Sequence, residues 1–363
     1  MKILIGVCGI GKGHCIRQYE LSRELIKNGH EVRIFTYGEG INFFSNSKMK
    51  VYDVYVPMIT FKGDKINVYD CIKRNWLKII PGKIHNNNIY RELLRENFLP
   101  DLCISDHEPT VAKIAYKLNK PLINIDQHSK FIYMNDTING YSNIEEKRRL
   151  QFFFPKSDKK FVVSFYDLPK GMLPNNIELL YPIIRNDLKE ISKQVNSKKK
   201  QILVYFSKYI DIPIKQSMEE IIKIFNSFKN YNFIIFSTEY AKSGEKIKEN
   251  VTILKNQRER FVKELINSCA VISTAGHTLI SEALYCNIPL FVIPLPTYDQ
   301  NYCGKFINDN QIGYSSDLIT IKNLSKFLNN IEMYRNNIKK CENLVKEMNT
   351  LKYLVSKIEE YEK

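Results

Sequence analysis

Two short stretches of this 363-residue chain pair glycine turns with groups able to handle protons or anions. The first is GIGKGH, Gly9 to His14, directly behind the apolar run ILIGV. Glycine at positions 9, 11 and 13 permits positive φ and lets another group, often a phosphate, approach the main chain closely. The pattern is not the dinucleotide fingerprint. GxGxxG needs a glycine where His14 stands, and no acidic residue closes the next run, IFTYG. His14 would lie at the carboxyl end of a strand, where open α/β sheets hold their ligands. An imidazole titrates near pH ~6.5, which suits proton abstraction at neutral pH. Three roles are open to it: a general base, a loop-shaping or diphosphate contact, and a purely structural residue.

The second stretch is AVISTAGHTLISEALYC, from Ala270. Its spacing predicts a buried strand ending at Ser273, a turn over Thr274, Ala275 and Gly276, and a helix opened by His277 and Thr278. Unsatisfied amides and the helix dipole favour an anion at such a helix start, and glycine keeps the approach clear. Glu282 follows about one and a half turns later, within reach of ribose hydroxyls behind a bound phosphate; the alternative is a solvated helix face. Beyond the next strand, the loop from Pro294 to Gln300 would carry Asp299 and Gln300 to the same place.

These groups need a scaffold of strand ends, and the chain supplies the rhythm for one. Short apolar runs (KILIGV, EVRIFTY, DLCIS, PLINI) alternate with helical patterns, among them CIRQYELSRELIK closed by the cap pair Asn28-Gly29. Repeated β-α-β implies a parallel sheet with helices on both faces. The basic segment 191–201 has no apolar periodicity and reads as a linker, after which a second α/β rhythm begins at ILVYF. The expected organisation is therefore an amino-terminal domain over 1–190, the linker over 191–201, a second domain over 202–335, and a carboxyl-terminal helix over 336–363. That helix carries an apolar stripe (Leu344, Met348, Leu351, Leu354, Val355, Ile358) that must pack on something. Two such domains in series would enclose a ligand cleft at the carboxyl ends of their strands.

Residues 60–85 interrupt the rhythm and hold Trp76, the single tryptophan, beside Lys73, Arg74 and Lys78. Trp76 either packs on its domain or forms a lip that meets an acceptor or a bilayer surface. The net charge of +15 is spread along the chain rather than gathered in a tail. It suits an acidic small ligand or peripheral contact with an anionic membrane. Nucleic acid is disfavoured, because no aromatic-interleaved basic motif or recognition helix is present. The eight cysteines are scattered, without CxxC or zinc-site spacing, and read as reduced thiols. No metal site is expected. No secretory signal and no apolar run of about 20 residues is visible, which predicts a cytoplasmic protein with room for peripheral contact at the inner membrane face.

Gly276, Thr278 and Glu282, followed by an apolar strand, Pro294 and Asp299-Gln300, resemble the G-x-T-x-x-x-E region of the GT-B glycosyltransferases. Within these, the chain is similar to the peptidoglycan lipid-intermediate N-acetylglucosaminyltransferase and to the UDP-glucuronosyl- and plant glucosyltransferases. GVCGIGKGH, PDLCISDHEP and PLINIDQHS are more narrowly similar to a little-characterised bacterial and archaeal branch. The resemblance implies two Rossmann-like domains with parallel sheets facing across a cleft. It also implies transfer from a nucleotide sugar, UDP favoured, without metal or cofactor, to an acceptor that the residues do not identify. In that family the glycine turn binds diphosphate, the glutamate binds ribose, and the Asp/Gln pair binds sugar hydroxyls. Gly9, Gly11, Gly13, His128 and Trp76 would then lie on the acceptor side. Asp106, in LCISDHEP, would orient His14, unless it or its neighbours His107 and Glu108 cap a helix. Thr274 and His277 depart from the glucuronosyl and plant pattern, which leaves the diphosphate contact to hydroxyl and backbone and the role of His277 open. An epimerase or hydrolase on the same fold, or a non-catalytic nucleotide-sugar-binding protein, is the competing expectation.

Overall fold

The computed structural model describes the chain apart from residues 46, 63–64, 135, 154–155, 169–172, 194–198, 208–213, 238–245, 256, 342–348 and 363. The centre of the expected linker, together with Leu344 and Met348, lies outside the described residues. The chain divides into two units, Met1–Ile183 with Glu347–Lys363, and Ile184–Lys346.

In the first unit the order is β1 (Lys2–Val7), α1 (Lys12–Lys27), β2 (Glu31–Thr36), α2 (Glu39–Phe44), β3 (Lys50–Asp53), α3 (Val68–Asn75), α4 (Ile79–Arg95), β4 (Leu102–Asp106), α5 (Pro109–Leu118), β5 (Leu122–Asp126), α6 (Ile144–Phe153), β6 (Lys159–Val163) and β7 (Ile177–Leu180). These strands form one seven-stranded sheet in the order β7-β6-β5-β4-β1-β2-β3. Every pairing in it is parallel. Parallel strands need helical crossovers that cover both faces, so their residues are apolar without alternation. Ile3, Leu4 and Ile5 are all fully buried for this reason. Ile3 and Ile5 enter one core layer, and Leu4 enters the layer on the other face.

The second unit repeats the plan: α7 (Asn186–Ser192), β8 (Lys199–Tyr205), α8 (Met218–Asn226), β9 (Asn232–Phe236), β10 (Lys246–Lys248), β11 (Val251–Leu254), α9 (Arg258–Asn267), β12 (Ser268–Ser273), α10 (His277–Tyr285), β13 (Leu290–Val292), α11 (Tyr298–Asp309), β14 (Gly313–Ser315), α12 (Ile321–Asn329) and α13 (Ile331–Lys340). Its sheet runs β10-β11-β9-β8-β12-β13-β14. Only the short edge strand β10 is antiparallel. Each sheet grows outward from its first strand on one side, then resumes beside that strand on the other. The reversal splays the loops after β1 and β4, and after β8 and β12, and opens a crevice at the strand ends.

Beyond Cys341 the chain returns to the first unit as α14 (Thr350–Glu359), which packs on α1. Leu351, Leu354, Val355 and Ile358 join the core layer of β1 and β2. The amino group of Met1 and the ring of His30 meet Glu362 and Glu359 at this docking site.

Leu354→Ala removes a fully buried side chain from that layer. It is expected to destabilise the first unit by about 2–5 kcal/mol, read as a lowered urea midpoint. An unchanged midpoint would show that α14 adds nothing to that core.

Candidate functional site

The glycines of GIGKGH turn out to serve different needs. At Gly11, the residue before α1, φ is +74°, a conformation that favours glycine. Gly9 instead has no room: a Cβ there would lie 1.5 Å from the carbonyl oxygen of Tyr37 in the neighbouring turn. Gly13 is already inside α1. The expectation of positive φ across all three is therefore corrected to Gly11 alone. This tight passage starts α1 immediately after β1 and holds His14 over the end of β4.

There the His14 Nδ1 lies 2.8 Å from Oδ1 of Asp106, the last residue of β4, which is fully buried. Arg17 and Gln18 stand three and four residues after His14, on the same face of α1. The Arg17 Nε donates to Asp106 Oδ2 at 3.0 Å, and its Nη2 donates to both carboxylate oxygens at 2.6 and 2.8 Å. The Gln18 Nε2 donates to Oδ2 at 2.9 Å and to the carbonyl of Ile125 in β5 at 3.0 Å. Burial by itself would raise the Asp106 carboxyl, but the charges of Arg17 and then His14, with these hydrogen bonds, hold it below its ordinary value. The same His14 Nδ1 lies 3.1 Å from the Arg17 Nη2, which only donates, so this ring nitrogen faces an acceptor and a donor together. With Nδ1 protonated toward Asp106, the Nε2 lone pair would be left to receive a proton from something else.

Helix capping falls to Glu108, not Asp106. Its carboxylate accepts from the amides of Thr110 and Val111 at 2.7 and 2.8 Å. His107 sits between the two at φ +61°, an uncommon conformation for a residue with a side chain. Its ring lies 5.9 Å from that of His14 and 4.8 Å from that of His128. His128, just beyond β5, stacks on His14 at 5.7 Å and 16°. Asp126 fixes this turn by accepting from the amides of His128 and Ser129. Burial first, then neighbouring groups including Arg149, push both His107 and His128 well below the ordinary imidazole range. Both are neutral at pH 7, so His14 faces two uncharged rings. Trp76 makes no ring contact or hydrogen bond with this group; it ends α3 and is 64% exposed.

In the second unit the loop after β12 opens α10 as expected. Gly276 precedes the helix as a cap residue without a side-chain bond of its own, and its amide donates to the Thr274 carbonyl at 2.8 Å. A Cβ at Gly276 would meet nothing within 4 Å, and its φ of −74° is open to any residue. Neither fold nor packing demands glycine here. What glycine leaves clear is the space outside the helix start. Thr274 is buried and its Oγ1 lies 2.6 Å from the Oγ of Ser207, which follows β8. Thr278 is half-buried. His277 and Glu282 are 6% and 3% exposed, which rules out the solvated helix face for Glu282.

Asp299 and Gln300 are in the first turn of α11 rather than in a loop. The Asp299 Oδ1 accepts from Thr297 Oγ1 at 2.7 Å, and Gln300 Oε1 accepts from the Leu295 amide at 3.0 Å. Gln300 thus braces the turn that follows β13. Phe261 packs edge-on against Tyr205 and Phe236 as a core aromatic.

Arg17, Gln18 and Ser207 were not among the residues singled out from sequence, and His107 was named there only as a possible helix cap. The i, i+3, i+4 spacing of His14, Arg17 and Gln18 was visible; the carboxylate they share was not. Asp106→Asn leaves the Arg17 guanidinium buried without its anion, and breaking such a pair is expected to cost about 3–5 kcal/mol at pH 7. The Asp106 carboxyl titrates lower in the folded than in the unfolded chain, so its contribution is present above the unfolded value of about 3.9 and fades as pH falls through the folded value. Urea midpoints of wild type and variant should therefore converge below about pH 4; a gap independent of pH would refute the ionised assignment.

Residues 1–332 match the family described as Glycosyl transferase family 1. A protein of Methanosarcina mazei named as an uncharacterized glycosyltransferase is 25% identical over 308 residues, covering 81% of this chain and 79% of its own. One of Methanosarcina acetivorans, named in the same way, is 25% identical over 311 residues, again 81% of this chain and 79% of its own. Among solved structures, a UDP-glucose: anthocyanidin 3-O-glucosyltransferase in complex with UDP superposes with a TM-score of 0.69 at 13% identity, over 99% of each chain. The glycosyltransferase VinC in complex with dTDP gives 0.67 at 12% identity, also over 99% of each. Identities this low bear on the fold, two Rossmann-like units of the GT-B kind; the family match over most of the length carries the activity. The chain belongs to glycosyl transferase family 1 and is a glycosyltransferase.

Proposed function

We propose that this enzyme moves a sugar from a nucleoside diphosphate sugar, a UDP-sugar by preference, to an acceptor hydroxyl of a cell-envelope glycan or glycolipid, with inversion and without a divalent metal. The observation that carries the reading is the His14–Asp106 pair, held at 2.8 Å and braced by Arg17 and Gln18. In the proposed reaction the His14 Nε2 takes the acceptor's hydroxyl proton while the oxygen attacks the anomeric carbon. The bond from that carbon to the diphosphate breaks on the opposite side, so one displacement inverts the configuration. Asp106 stabilises the imidazolium that forms.

The leaving diphosphate gains negative charge and needs an electropositive partner. The start of α10, at Gly276 to Thr278, would supply it with backbone amides and the hydroxyls of Thr274 and Thr278, in place of a metal. Glu282 is assigned to the ribose, and Asp299 and Gln300 to the sugar hydroxyls. His277 stands beside the diphosphate position, and Gly9, Gly11, Gly13 and His128 are assigned to the acceptor side. The structural relatives bound to UDP and dTDP support a pyrimidine nucleoside diphosphate. The nucleotide sugar is a substrate, and the scheme needs no cofactor. Peripheral association with an anionic membrane face, suggested by the net charge of +15, belongs to the same reading.

Calorimetric titration of UDP, GDP, dTDP and CMP, first without metal and then with magnesium, tests the donor assignment. UDP is expected to bind without metal, and Glu282→Gln to weaken it by about 10- to 100-fold. His14→Ala should keep nucleotide affinity while losing transfer by about 10²–10⁴-fold. Absence of binding by any of the four nucleotides, or full turnover in His14→Ala, would overturn the scheme. Sugar released at an unchanged rate whether or not an acceptor is present would point instead to a hydrolase.

A further inference from the structure

The α3–α4 segment is built with its polarity turned outward-in. Its body-facing side is held by hydrogen bonds. Asn75, buried at the end of α3, accepts from the Met58 amide at 2.8 Å and donates to the carbonyls of Met58 and Cys71 at 2.7 and 2.6 Å. In α4, Asn86 bonds the backbone N–H and C=O of Tyr55, each at 2.8 Å, and His85 Nε2 bonds the Asp53 carbonyl at 2.7 Å. Gly82 lies against the Tyr55 ring so closely that a Cβ would fall 2.1 Å from it.

The apolar residues of the same segment face away. Tyr69, Ile72 and Trp76 repeat at helical spacing along α3, and Ile80 and Ile84 do so in α4. Tyr69 is 78% exposed, Leu77 68%, Ile80 69% and Trp76 64%. A run of large apolar side chains this exposed is uncommon on a soluble surface and marks a place of contact. Lys65, Lys73, Arg74, Lys78 and Lys83 are interspersed with them, and Asp70 is the one acid between residues 65 and 84. A tryptophan and a tyrosine among lysines match the boundary between headgroups and acyl chains, with the rings entering and the ammonium groups meeting lipid phosphates. Among the described residues no helix is long and apolar enough to cross a membrane, so contact of this kind would be at the surface.

We propose that the exposed face of α3–α4 docks on an anionic lipid bilayer, with Trp76 and Ile80 entering the headgroup region. The inference rests on the proposed peripheral association and assigns it to one surface of the first unit.

Trp76 is the chain's single tryptophan and reports directly on this face. Vesicles of phosphatidylglycerol and phosphatidylcholine in equal parts should shift its emission to shorter wavelength and carry the protein down on sedimentation. Phosphatidylcholine alone should bind about tenfold or more weakly at low salt, and added salt should erase the difference. Ile72→Ser with Ile80→Ser, which leaves the reporter in place, should weaken binding about tenfold or more. Lys73→Gln with Lys78→Gln should do the same for the anionic vesicles only. Urea midpoints of both variants verify that the first unit is folded, and their nucleotide affinity without vesicles separates failure of docking from failure of the donor assignment. The proposal is overturned if vesicles change neither emission nor sedimentation, or if the serine variant binds as wild type does. It is equally overturned if Trp76 emission is already shifted in a concentration-dependent dimer, which would make a second copy the occupant.

Discussion

Asp106 is a carboxylate with no exposure at the end of a central strand, and it is held by donors from one face of a single helix. A buried anion of this kind is tolerable only if opposite charge and hydrogen bonds replace the water it has lost. Arg17 supplies the charge, and His14 and Gln18 supply further bonds. Because the three donors share a helix face and the acceptor belongs to β4, their contact fixes both the rotation of α1 and its height above the sheet. The tight turn through Gly9 and Gly11 follows from that placement. So does the orientation of the His14 ring, whose Nδ1 faces both the Asp106 carboxylate and the Arg17 guanidinium.

The reversal of strand order decides where such contacts can form. In the first unit β1 and β4 stay paired to their carboxyl ends while the chain leaving them goes to opposite sides of the sheet; in the second, β8 and β12 do the same. The two crevices use different physics. The first gathers side chains, a charged cluster walled by the neutral rings of His107 and His128. The second presents the backbone of α10, with Thr274 tied to Ser207 across the reversal and an open approach at Gly276. Proton transfer needs a titratable group whose orientation is fixed, whereas an anion needs converging dipoles and room.

Much of this was legible from the residues in order. Parallel strands buried on both faces appear as unbroken apolar runs, so KILIGV, DLCIS and ILVYF could be read directly. The cap pair Asn28-Gly29, with Gly29 at φ +89°, is equally local. The start of α10 at His277 followed from a strand, a glycine and an apolar helical period. Other features were out of reach. Nothing local distinguishes a buried Glu282 from one on a solvated face, or shows that His107 and His128 close around His14. The single helix expected over 336–363 divides in the fold: residues 336–340 end α13 of the second unit, and the described part of the stripe lies in α14, which packs on α1 in the first.

By itself, then, the sequence determined the α/β alternation, the two glycine turns and the residue types placed at the strand ends. Periodicity, capping and turn chemistry act over a few residues, and a single chain records them completely. Tertiary structure alone decided which strand ends become neighbours. It brought His14 to Asp106 across 92 positions and Ser207 to Thr274 across 67, and it turned the apolar side of α3 and α4 outward. Burial, the protonation it imposes, and the pairing of distant groups depend on which faces the packed layers exclude from water, and that is settled only when the layers meet.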